Sequence, residues 1–163
     1  MERNMRAALA AAGLGLCLAN AAAAETLVEK VRAATERFAD VSVAEAEGYG
    51  PIPCASGAAG GAMGIHYVNG GYLTGDDNAL DIAKPEAIMY EPQADGSLVL
   101  VGVEYITFAG PAALEGHLLN FAGAPNRYGL DPFYELHVWA HRKNPAGPFV
   151  DMNKDVSCEF AGG

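Results

Sequence analysis

Positive charge is scarce in this chain: ten Lys and Arg stand against twenty Asp and Glu, a net charge of −10 with histidine neutral. Nucleic acids and anionic lipid surfaces are bound through clustered cations, so neither is expected as a partner. A metal ion, a cationic ligand or a neutral small molecule is compatible with such a surface. Several catalytic signatures are also missing. There is no Gly-x-Ser-x-Gly, no Cys-x-x-Cys-His and no His-Glu-x-x-His, which argues against a serine-hydrolase elbow, covalent haem attachment and the zincin helix. The glycine-rich segment 57–64 has no Gly-Lys-Ser/Thr after it and reads as a turn, not a phosphate loop.

Long apolar runs are confined to the start. Arg3 and Arg6 precede an uncharged stretch, 7–19, and an alanine run ends at Ala24, just before Glu25. A basic start, about a dozen apolar residues and an Ala-x-Ala site make a secretory signal, with cleavage expected between Ala24 and Glu25. The run falls short of the about 20 apolar residues that span a bilayer. Cys17 is discarded with this segment, because Leu16 stands where a lipoprotein signal has a small residue. Without Glu2, Arg3 and Arg6 the charged residues number 8 basic and 19 acidic, a net charge of −11. Residues 25–163 are then one domain able to bury a single core, with no membrane span and a periplasmic or secreted location. Two cysteines remain, Cys54 and Cys158, and in an oxidising compartment they are expected to form a disulfide.

Leu27, Val31, Ala34 and Phe38 recur at helical spacing over 26–39, and Thr26 with Glu29 has the capping-box form. A second short helix is expected over 42–47, stopped by Gly48. From Tyr49 onward, turn residues separate β-rich runs: 65–68, 87–91, 98–108 and 133–141, with turn chemistry over 70–77 and a short helix over 112–119. Strands joined without room for crossover helices imply an α+β fold: an N-terminal helix packed on a curved, mainly antiparallel sheet or small barrel. A cupin-like jelly roll is the alternative.

The segments Gly-Gly-Ala-Met-Gly-Ile-His-Tyr (60–67), Pro-Glu-Ala-Ile-Met-Tyr (85–90), Val-Gly-Val-Glu-Tyr (101–105) and Glu-Leu-His-Val-Trp (135–139) resemble those of a group of small exported bacterial proteins. Asn144-Pro145 and Val156-Ser157-Cys158 fit the same pattern. The likeness spans about residues 48–160 and implies a whole domain, without implying a reaction. In that group the Trp-containing strand continues with apolar or aromatic residues. This chain has Ala140-His141, so a role for His137 is better supported than one for His141.

Alternation along 133–141 puts Tyr134, Leu136, Val138 and Ala140 on one face and Phe133, Glu135, His137, Trp139 and His141 on the other. Aromatics beside a carboxylate and imidazoles suit a cleft, where apolar walls meet a few polar groups. In 98–108, Glu104 is the single charge on a face with Leu98, Leu100, Gly102, Ile106 and Phe108; His66 is the single polar group on its strand face. The sharp expectation is that His66, Glu104 and His137 converge on a divalent transition metal, zinc or iron, leaving positions open for water or substrate. Glu135 is then the candidate general base, and His141 and Trp139 are candidate supporting residues. The plainer alternative is a set of core hydrogen bonds, with Glu104 paired to His137 or Arg142. Three functions follow: a metal-dependent enzyme, a non-catalytic periplasmic module binding a metal or small ligand, or a structural envelope-associated protein.

Overall fold

The computed structural model describes residues 25–75, 79–126 and 128–162; the expected signal segment and Cys17 lie outside them. Helix α1, Leu27–Thr35, starts with both halves of the capping box: Thr26 Oγ1 accepts from the Glu29 amide, and Glu29 accepts from the Thr26 amide at 2.8 Å. The helix expected to reach residue 39 tightens into a 3-10 turn, Glu36–Ala39, and Asp40 then caps α2, Val41–Ala46.

Among the described residues nine strands follow: β1 Gly50–Pro51, β2 Ala55–Ser56, β3 Ala62–Val68, β4 Ala87–Pro92, β5 Leu98–Thr107, β6 Ala113–Leu114, β7 His117–Leu118, β8 Asn120–Ala122 and β9 Phe133–Val138. The main sheet runs β1-β3-β4-β5-β9-β8, with β2 also paired to β3, and every pairing is antiparallel. It ends on β1 and β8 without closing, so the barrel and jelly-roll variants do not hold. The α+β architecture with an N-terminal helix on the sheet does.

Two local expectations change. The segment 112–119 is the hairpin β6–β7, because Glu115 and Gly116 both take positive φ, 48° and 84°, and turn the chain back on itself. Part of the 70–77 turn is a short helix α3, Gly70–Leu73, whose first amides donate to the Asn69 side chain.

The sheet buries both faces. On one, Leu27, Val31 and Phe38 pack on Tyr67, Ile88, Tyr90, Val103, Tyr105, Leu136 and Val138. Each large apolar side chain buried there contributes about 1.5–3 kcal/mol. The tyrosines reach through this layer: Tyr90 donates to the Phe38 carbonyl at 2.8 Å, Tyr49 to that of Pro85 and Tyr105 to that of Ile82. The opposite face carries a smaller cluster of Ala55, Ala62, Met63, Met89, Val101, Trp139 and Val156.

A bulge divides β5 between the two. Met89 pairs with Gly102 but Tyr90 pairs with Leu100, leaving Val101 as the extra residue. The alternation assumed along 98–108 therefore breaks: Leu98 and Leu100 turn to the helix side, while Gly102, Glu104 and Ile106 stay on the other.

The C-terminal segment crosses this second face. Cys54 and Cys158 are disulfide-bonded, closing a span of 104 residues, a constraint worth about 4–5 kcal/mol in the chain-entropy account. Arg142 pairs with Glu91 at 2.9 Å, not with Glu104, and Glu91 also accepts from the Ser157 amide. Among the described residues no helix is long and apolar enough to cross a membrane.

Candidate metal centre

Strand register explains how three distant polar residues meet. Glu104 and His137 are directly opposed on β5 and β9, so their side chains stand together on one face. His66 lies two strands away, opposite Met89 on β4. Between β3 and β5 the residue facing Glu104 is Ala87, and its methyl group lets His66 and Glu104 reach over β4. One row along, Gly102 keeps the floor low: a Cβ there would lie 2.7 Å from the Met89 methyl and from the Val138 carbonyl oxygen.

The outcome is the convergence expected from the sequence. Glu104 stands between the imidazoles, with Oε2 3.4 Å from His66 Nε2 and Oε1 3.7 Å from His137 Nε2. The rings lie 6.1 Å apart, nearly perpendicular. All three residues are at most 1% exposed. They form a group whose ligand atoms lie within 4.8 Å of one another and could hold a metal ion. Donors about 2.0–2.2 Å from a tetrahedral ion stand about 3.3–3.5 Å apart, close to the separations here. Nε2 of His137 and Oε1 of Glu104 are buried without a hydrogen bond, and Nδ1 of His137 faces Asp151, so the donor set is not spent on the backbone.

A second group shares His137. Its Nδ1 lies 3.4 Å from Asp151 Oδ1, and Glu135 completes a set of three that could also hold an ion. Asp151 sits on the strap after the 144–147 turn. Trp139 Nε1 donates to the Val150 carbonyl at 2.6 Å, and Asn144 Nδ2 donates to the carbonyls of Val150 and Met152. Trp139 is thus an anchor for the strap that brings Asp151 to His137. Sequence reasoning missed Asp151, because nothing in its own stretch has a period; its place is set by Trp139, twelve positions earlier.

Burial drives the Glu104 carboxyl well above its usual range. For His137, burial alone would lower the pKa, but the carboxylates of Glu104, Asp151 and Glu135 outweigh it and raise the value. Without an ion, this pocket therefore holds on to protons.

The other supporting candidates part ways. Glu135 stays beside His137 with Asp151. His141 leaves the site: the strand ends at Val138, and the amides of His141 and Arg142 both donate to the bulged Val101 carbonyl. That turn carries His141 to the helix side, where its Nε2 lies 2.9 Å from Thr35 Oγ1. The Thr35 hydroxyl already donates to the Val31 carbonyl, so His141 is the donor in this pair. Burial, then the nearby Arg32, lowers its pKa.

A cavity of about 320 Å³ opens over the first group, with His66 and Glu104 in its lining and Ile52, Val68, Ile106, Leu130 and Phe133 among its walls. Glu135 does not line it. No family model, curated protein or solved structure matches the chain.

Proposed function

We propose that the protein is an exported, metal-dependent enzyme in which His66, Glu104 and His137 hold one divalent transition metal, zinc or iron, at the inner end of the cavity. The observation that carries this reading is the meeting of three buried polar side chains from β3, β5 and β9, where an apolar cavity reaches two of them. Two imidazoles and one carboxylate leave coordination positions open, as catalytic zinc and non-haem iron sites require. Such an ion activates bound water or polarises a substrate oxygen. Asp151 accepts the Nδ1 proton of His137 and so presents Nε2 to the ion. Glu135, in the same set, is the carboxylate able to take up or return a proton. The disulfide suits the oxidising compartment to which a cleaved signal would deliver the chain.

A non-catalytic module binding a metal or small ligand is the second reading, favoured by the position of Glu135 away from the cavity wall. Metal analysis of the protein exported to a periplasm and purified without chelators or a His tag tests the shared premise. About one equivalent of zinc or iron is expected, lost in His137→Ala; metal-free protein that cannot be reconstituted would end both metal readings. Turnover of hydrolysable or oxidisable small molecules then separates the enzyme from the binding module.

A further inference from the structure

The cavity carries its own chemical description. Its volume, about 320 Å³, is at the low end of the about 300–1,000 Å³ typical of small-molecule pockets. Ile52, Val68, Leu73, Ile106, Leu130 and Phe133 are apolar walls, whereas His66, Glu104 and Tyr128 carry the polar side-chain atoms of the lining. A ligand that fills it must therefore bury an apolar body and direct its polar atoms to these few side chains; a polar group set against the aliphatic walls would lose its water without compensation.

Charge narrows the class further. Among the described residues no Lys or Arg lines the cavity. A divalent ion held by Glu104 keeps one positive charge, and the carboxylates of Asp151 and Glu135 beside His137 offset it. An anionic head group finds no surplus positive charge there, and the acidic chain repels it at long range. An ammonium group has no lone pair with which to bind the ion. The group that remains is a neutral oxygen donor. We infer that the cavity takes an uncharged small molecule with an apolar body and a hydroxyl or carbonyl oxygen directed at the metal. This inference rests on the proposed metal centre.

Three probes of one size and different charge test it: benzyl alcohol, benzoate and benzylamine, titrated at neutral pH into the zinc-loaded full chain and followed by amide NMR. Zinc is assayed on the same sample. Benzyl alcohol is expected to bind at least tenfold more tightly than the other two. Ile106→Trp, which fills the cavity from β5, and Leu73→Trp, which fills it from α3, should each abolish binding with zinc content retained. Two sites of filling keep the test valid if one variant does not fold. Zinc-loaded protein that prefers benzoate or benzylamine, binds all three alike, or binds none overturns the inference and leaves the metal centre standing. Protein that takes up no zinc overturns both.

Discussion

The two faces of the sheet bury polar groups to similar depth and treat them in opposite ways. Under the helices, Tyr49, Tyr90 and Tyr105 each end on a backbone carbonyl, so their hydroxyls are satisfied within the layer. On the other face, Glu104 and His137 are as deeply buried, yet Oε1 of Glu104 and Nε2 of His137 have no hydrogen bond. A buried polar group left in that state costs about 1–3 kcal/mol. On one face the buried polar groups close on the backbone; on the other, Glu104, His66 and His137 are turned toward one another.

The largest expected effect falls on the closed face. Phe38→Ala removes a fully buried ring beneath the tyrosines and should lower stability by about 3–5 kcal/mol in urea unfolding. Metal affinity of the remaining folded protein should be unchanged. A loss of metal binding at low urea would mean that the faces are coupled and the contrast is false.

On the open face, Asp151→Asn should weaken metal affinity about 10–100-fold, the usual effect of losing a carboxylate behind a ligating histidine. Stability in chelator should barely move, since Asp151 is half exposed in its side chain. Competition with a fluorescent zinc chelator reads the affinity directly. An unchanged value would remove Asp151 from the centre.

The smallest effect is a drift with pH, and its sign depends on the metal. Burial raises Glu86, which accepts from the Ile106 amide, to about 7. Burial also raises Glu104, and the neighbouring carboxylates raise His137. In all three the folded state holds its proton more tightly than the unfolded chain. Their contribution is complete below the unfolded values and is lost as pH rises through the folded ones. Chelator-treated protein should therefore unfold at lower urea as pH rises from about 5 to about 8. Zinc stabilisation should grow over the same range, because ligands must shed protons to bind. Glu104→Leu should flatten the drift in chelator and abolish the zinc effect. A steeper drift in that variant would mean that Glu104 is a structural hydrogen-bonding group.

What the sequence disclosed follows the same division. Helix α1, its capping box and the Cys54–Cys158 bond were legible, because each rests on local spacing or a single available pairing; the meeting of His66, Glu104 and His137 was an expectation that depended on strand order and register, which the sequence does not show. His141 was misplaced because alternation stops where the strand does, and the bulged Val101 carbonyl then takes the next two amides. The same bulge moved Leu98 and Leu100 to the helix side. Asp151 was hidden because the Trp139 indole, just past the end of β9, positions it, a contact between segments with no shared period.

Diffraction at a zinc or iron absorption edge, from crystals of the exported protein, tests the central claim most directly. The account predicts one anomalous peak bonded to His66, to Glu104 and to Nε2 of His137, facing the cavity. An ion seated instead among Glu135, Asp151 and Nδ1 of His137, or no ion with Glu104 hydrogen-bonded directly to both imidazoles, would contradict it.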